Sequence, residues 1–187
     1  MSTSSAPFGL QPAYSPSGVV RPTAFTIASG YTSNIYGNQP VKINSSDGTL
    51  VAAAIGDAII GSFQGVEFTD TDGRRRVSNK WTASTSATDI VAYATLDPTL
   101  VYNIQANGPV AQSNLGNQAN FTTVTAGNST VGYSQVMLDT ATLTNSGNAT
   151  MRIIGITPGP DNTWGDNYTI VQVQVSEHQN VANIAAY

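Results

Sequence analysis

The apolar residues of this chain recur in short runs broken by Gly, Asn, Asp and Pro. The run Tyr168–Val175 shows the pattern best. Val171, Val173 and Val175 fall on one side of an extended chain, and Gln172 and Gln174 fall on the other. A period of two is the mark of a strand, because successive side chains point to opposite faces. Leu100–Ala106 alternates in the same way, with Val101, Asn103 and Gln105 on one face and Tyr102, Ile104 and Ala106 on the other. Further strands are predicted over 40–43, 50–54, 58–68, 75–81, 90–94, 121–124, 134–138 and 151–156. The glycines inside 58–68 mark bulges. Asp47-Gly48 and Asp72-Gly73 predict tight turns, since both residue types tolerate positive φ. Residues 107–120 lack alternation and predict a loop with at most one helical turn. No long helical period alternates with the strands, so an α/β fold is disfavoured. The pattern predicts an all-β protein, an antiparallel sandwich or barrel of short strands.

The first 35 residues read differently. Prolines stand at 7, 12, 16 and 22, with Gly9 and Gly18 between them. Each proline removes a backbone donor and holds its predecessor extended. The spacing predicts an extended Pro-rich N-terminal arm over 1–35, a β-rich body over 36–176 and a C-terminal tail over 177–187. Phe8, Leu10, Tyr14, Val19, Val20 and Phe25 stud the arm. A flexible tail seldom carries so many apolar residues. Either these six side chains bind a partner's groove, or the segment folds back as a β-edge of its own domain. On the first reading, a chain lacking residues 1–30 still folds.

Composition sharpens this picture. Of 187 residues, 40% are apolar and only 10% charged, against roughly 25% charged in an ordinary soluble domain. Asn, Gln, Ser, Thr and Gly replace the missing charge. Such a surface suits a protein packed against neighbours, since buried amides and hydroxyls can be paired where buried charges are costly. The net charge of −4 argues against a nucleic-acid partner, which calls for clustered Lys and Arg. The one basic run, Arg74-Arg75-Arg76 with Lys80, follows Thr71-Asp72-Gly73. It reads as a solvated hairpin shoulder or as a contact for an acidic protein face. There is no cysteine, which removes disulfides and thiolate metal sites. The opening residues lack the basic and apolar regions of a signal peptide. The longest apolar run, Leu50–Ile55, is far short of the ~18 residues of a membrane helix. No membrane partner is expected.

Catalytic machinery is sparse in the sequence. The one histidine, His178, follows Glu177; neighbours in a strand face opposite ways, so a structural or interface role is expected. Most aspartates sit in turn contexts such as Asp47-Gly48, Asp72-Gly73 and Asp97-Pro98, where turn chemistry explains them. Asp161, Asn162 and Asp166 around Trp164 could offer oxygen ligands to calcium or could tether a surface turn. No phosphate loop, nucleophile elbow or dinucleotide fingerprint is present. The sequence therefore predicts no catalytic residue, no cofactor and no metal. Trp81 or Trp164 with Tyr133 or Tyr168 could form a sugar platform, the signature of a carbohydrate-binding or host-recognition module of a phage fibre, or could serve as ordinary core anchors.

Several phrases, taken in order, resemble a known group. Ala6-Pro7-Phe8-Gly9-Leu10-Gln11-Pro12 opens it, followed by Pro40-Val41-Lys42 and Gly56–Phe68. Asp97-Pro98, Val101–Gln105, Leu115–Ala119 and Val171–Gln179 complete the order. Over most of its length the chain resembles the capsid cement, or decoration, proteins of tailed bacteriophages, of the short-tailed cyanophage type. The resemblance implies a virion structural protein, made in the host cytoplasm and placed on the outer capsid surface. It also implies a homotrimer that bridges major capsid proteins, with a terminal arm reaching between subunits. It carries over no catalytic residue.

Overall fold

The computed structural model describes residues 2–122 and 127–182. Its strands are, in chain order, β1 (Gln11–Tyr14), β2 (Pro22–Phe25), β3 (Pro40–Ile43), β4 (Leu50–Ala52), β5 (Gly61–Asp70), β6 (Arg75–Ser78), β7 (Ala87–Thr95), β8 (Val101–Gln105), β9 (Gln118–Ala119), β10 (Gly127–Asn128), β11 (Tyr133–Ser134), β12 (Met151–Ile156) and β13 (Ile170–Val175). One antiparallel sheet has the order β1-β8-β13-β12-β9. The other runs β2-β7-β5-β3-β4, with β6 sharing the β3 edge of β5. β10 and β11 form a separate small hairpin. The two large sheets pack as a sandwich, and no barrel closes. No helix among the described residues is long and apolar enough to cross a membrane.

Most predicted elements lie where the pattern placed them. Val171, Val173 and Val175 face one apolar cluster, as do Tyr102 and Ile104 of the neighbouring β8 and Ala106 just after it. The Asp-Gly pairs turn β3 into β4 and β5 into β6, with Gly48 at φ 74 and Gly73 at φ 78. A bulge falls at Gly65, where the register of β5 against β7 slips between Phe63 and Gly65. That slip lets Phe63 and Val66, which have opposite parity, face the same core. The 107–120 loop holds one 3-10 turn, Gln112–Asn114, and then the short strand β9. In the 134–138 region only Ser134 lies in a strand, β11, where it pairs with Gly127 of β10. Leu138 reaches Ala106 and Phe121 through isolated bridges. Of the strand predicted at 121–124, residues 123 and 124 lie outside the described residues, as do residues 183–187 of the tail.

The N-terminal segment departs from the partner-bound arm. β1 pairs with β8 in one sheet, and β2 pairs with β7 in the other. Residues 1–35 are therefore not separate from the body: they supply an edge strand to each sheet. The prolines permit this because Pro12 and Pro22 lie on edge strands, where a missing donor breaks no second ladder. Leu10 is fully buried in the cluster of the first sheet, and Ile27 in that of the second. Leu10 thus cannot contact a partner. Removing residues 1–30 would strip both sheets and open both cores, so a folded remnant is not expected.

Two clusters fill the sandwich. The first collects Leu10, Ile59, Tyr102, Phe121, Met151 and the β13 valines. The second collects Ile35, Val41, Ile60, Phe63, Val66 and Trp81. Adjacent residues Ile59 and Ile60 enter different clusters, which extended geometry allows because their side chains point apart. The chain is held at this crossing from both sides. Ile59 N donates to the Glu177 carbonyl at 3.0 Å, and Gln179 N donates to the Ile59 carbonyl at 3.1 Å. Gln179 also exchanges side-chain hydrogen bonds with the backbone of Ile43. Just beyond, the Tyr102 hydroxyl of the first sheet lies 2.7 Å from Thr95 Oγ1 of the second, which also accepts from Ser62 N at 2.8 Å. Burial pushes the Tyr102 phenol well up from its usual range.

Gly61 is where this crossing tolerates least. Its φ is +147, and a Cβ there would meet Thr95 Oγ1 at 2.3 Å and the Thr95 carbonyl oxygen at 2.4 Å. Gly61→Ala is expected to lower unfolding stability by more than about 3 kcal/mol, read from urea denaturation. A loss below about 1 kcal/mol would show that the crossing can relax. His178 gives a second test. Its ring is buried, with Nδ1 accepting from Asn180 N and Nε2 facing the Ile60 carbonyl, the neutral tautomer. Burial lowers its pKa from 6.5, against the raising pull of the Ile60 and Leu96 backbone and of Asp97. The unfolded chain then takes up the proton first, so stability is complete above about 6.5 and falls as pH drops below it. Tm is expected to decrease from pH 7 to pH 5, and His178→Gln to flatten that slope. An equally steep slope in the variant would assign the dependence to other groups.

Candidate docking surface

β1 and β2 are joined by residues 15–21, which run beside the turn joining β7 to β8. The connector is built on a fixed base. Ser15 is buried, and its hydroxyl lies 2.7 Å from Asp97 Oδ2 and 2.8 Å from Ser17 Oγ. Gly18 N donates to the Ser15 carbonyl at 2.8 Å, closing a turn with Gly18 at φ 81. Asp97 also accepts from Thr99 N and Thr99 Oγ1. Burial works to raise the Asp97 carboxyl, but the Ser15 and Thr99 hydrogen bonds outweigh it and hold the group below the usual carboxylate range. The base is therefore a charged acceptor with its donors in place, the stronger kind of hydrogen bond.

On this base the chain displays an exposed run from Pro16 to Pro22. Val19 is 57% exposed, Val20 40% and the nearby Tyr14 48%. Of the six partner-binding candidates, these three remain available. Phe8 is half-buried at the rim of a cleft, Phe25 packs against the second cluster, and Leu10 is core. Arg21 was missed by the apolar pattern. It is exposed, and among the described residues it has no hydrogen bond or ion pair. The signal for it was its place directly after Val19-Val20 on a Ser-Pro-Ser-Gly turn.

Arg21 differs from the other basic residues. Arg75 pairs with Glu67 at 3.3 Å, Arg76 with Asp72 at 3.0 Å, and Lys42 with Asp57 at 2.7 Å. The Arg74–Arg76 run is a hairpin shoulder whose charges are met within the hairpin and by β5. Lys80 donates to the Ser129 carbonyl.

The remaining candidates are placed as follows. Asp166 accepts from Thr163 N, Thr163 Oγ1 and Ser2 N, so it ties a surface turn to the N-terminal segment. No group of three His, Cys, Asp or Glu among the described residues could hold a metal ion. Trp81 is fully buried, in an edge-on contact with Phe68 at 5.5 Å between centroids. Trp164 packs partly buried against the first cluster. Neither tryptophan forms an open platform; Tyr133, 45% exposed, is the aromatic of that set at an open cleft.

Comparisons with known proteins found no matching family model, no matching curated protein and no matching solved structure.

Ser15→Ala is expected to free the turn while leaving the core intact. Amide hydrogen exchange at Gly18 should accelerate about fivefold to tenfold, as loss of roughly 1 kcal/mol of local stability implies. Unchanged exchange at Gly18 would mean that the connector does not depend on the Ser15–Asp97 base.

Proposed function

We propose that this protein is a virion structural protein, a capsid cement or decoration protein that binds the outer surface of a phage head and bridges major capsid proteins. One observation carries the reading to this surface. Exposed Tyr14, Val19 and Val20 lie beside Arg21, which has no partner among the described residues, on a turn fixed from below by Ser15 and Asp97. A preordered turn loses little freedom on binding, so more of its contact energy appears as affinity. Two exposed valines supply apolar contact, and an unpaired guanidinium supplies a fork for a carboxylate. Rim contacts of this kind are individually modest. A homotrimer would present three of them to a repeating lattice and gain avidity without new contacts. Binding the assembled shell but not its free subunits would stabilise the shell by mass action. The low charge of the remaining surface suits close packing against neighbours.

The test combines solution mass by light scattering with co-sedimentation on empty phage capsids that lack the protein. A mass near three chains and saturable capsid binding are expected. A Val19→Asp/Arg21→Glu double variant is expected to keep its Tm and to weaken capsid binding by about tenfold or more. Full binding by that variant would remove this surface from the reading. A native protein that ignores capsids would remove the reading itself.

A further inference from the structure

A cleft of about 430 Å³ opens between the N-terminal segment, the start of β5 and the β10–β11 hairpin. This volume lies within the range of small-molecule sites. The cleft runs on along β5 and β6 into a second hollow of about 300 Å³ that shares Gln64 and Asn79. The lining of the first cleft contains no charged side chain. It holds the amides Gln11, Asn38, Gln64 and Asn79 and the rings of Phe8 and Tyr133.

These groups are positioned by the fold. Gln64 Nε2 donates to Ser62 Oγ at 2.8 Å, and Asn79 Nδ2 donates to the Val131 carbonyl at 3.0 Å. In each amide the side-chain oxygen has no hydrogen-bond partner among the described residues, so acceptor capacity remains in side chains that line the cleft; the Asn79 amide lies close against Gly132. Asn38 adopts φ 61, uncommon for a residue with a side chain, and is fixed by donating to the Phe8 carbonyl at 3.1 Å. The ring of Tyr133 rests against Gly37, where a Cβ would approach its Cδ1 to 3.0 Å. The hairpin bearing Tyr133 is pinned by Gly37 N to the Gly132 carbonyl and by Ser134 N to the Gly37 carbonyl, both at 2.9 Å.

We infer that this cleft binds a neutral saccharide, with a sugar ring against Tyr133 and its hydroxyls paired to the amides of Gln64 and Asn79. A charged ligand finds no counter-ion in the lining of the first cleft, and in the adjoining hollow Glu67 is already paired with Arg75 and Tyr93. A purely apolar ligand would strand the amides, at the cost of their hydration. A sugar hydroxyl is both donor and acceptor, as is an amide, and the apolar face of a pyranose suits an aromatic ring. The adjoining hollow beside Val77 and Tyr93 extends the groove for further residues of an oligosaccharide. This site is separate from the connector that carries Val19 and Arg21, and the inference does not depend on capsid docking.

The experiment uses the full chain and a panel of neutral oligosaccharides, namely maltohexaose, cellohexaose, chitohexaose, mannopentaose and a galactan fragment, with sialyllactose and a proline-rich peptide beside them. Binding is followed by NMR through the side-chain amide signals of Gln64 and Asn79. Saturable binding of at least one neutral oligosaccharide is expected, with both amide signals shifted. Tyr133→Ala should weaken it about tenfold, the scale of one aromatic contact, while Tyr133→Phe retains it. Both variants should remain folded because Tyr133 lies outside both core clusters. Gln64→Ala should also weaken it, and Val19→Asp/Arg21→Glu should leave it unchanged. No binding across the neutral panel would overturn the inference. So would binding that survives both Tyr133→Ala and Gln64→Ala, or occupation of the cleft by the peptide alone.

Discussion

The sandwich depends on the passage of Ile59, Ile60 and Gly61 between two cores. One step of extended chain places Ile59 in the first cluster and Ile60 in the second. Neither sheet can then shift without moving the other's side chain. The strand-like pairing of Ile59 with the chain around His178 extends the first sheet to this point. Tyr102 and Thr95 join the two sheets by a buried hydrogen bond. A buried polar pair adds little net stability when satisfied, but losing one partner leaves the other desolvated and unpaired. The junction therefore specifies how the sheets meet more than it strengthens them, and the close approach at Gly61 follows from that demand.

The same economy of charge shapes the surface. Paired carboxylates and bases lie mostly within single hairpins, as in Arg76 with Asp70 and Asp72. Such exposed pairs contribute little stability. Their consequence is electrostatic: among the described residues they leave a surface rich in amides and hydroxyls, on which the exposed Arg21 guanidinium has no ion-pair partner.

The N-terminal segment links these features. Its residues line the cleft at Phe8, enter the core at Leu10, pair as the edge strand β1, and then pass through the exposed connector to β2. One stretch of chain thus carries core, edge and two candidate binding surfaces. Edge strands leave backbone groups open to further pairing, and Pro12 and Pro22 limit that hazard on both sheets. Binding surfaces placed on a segment anchored at Leu10 and Ile27 are held rigid by the body they belong to.

The sequence by itself determined the all-β class, the β13 and β8 faces, both Asp-Gly turns and the bulge at Gly65. Each follows from local rules: side-chain period, positive φ, and the missing Cβ. Tertiary structure alone decided sandwich against barrel, because closure depends on which distant strands share an edge. It also decided the fate of the N-terminal apolar residues. Leu10 and Val19 are alike in their local setting of Pro and Gly, yet one is core and the other exposed. Their burial is set by partners far along the chain, Leu10 by the cluster that β8 and β13 build and Val19 by the lack of any such neighbour. The separation of Ile59 from Ile60 into two cores has the same origin, since local alternation shows that the side chains diverge but not what each will meet.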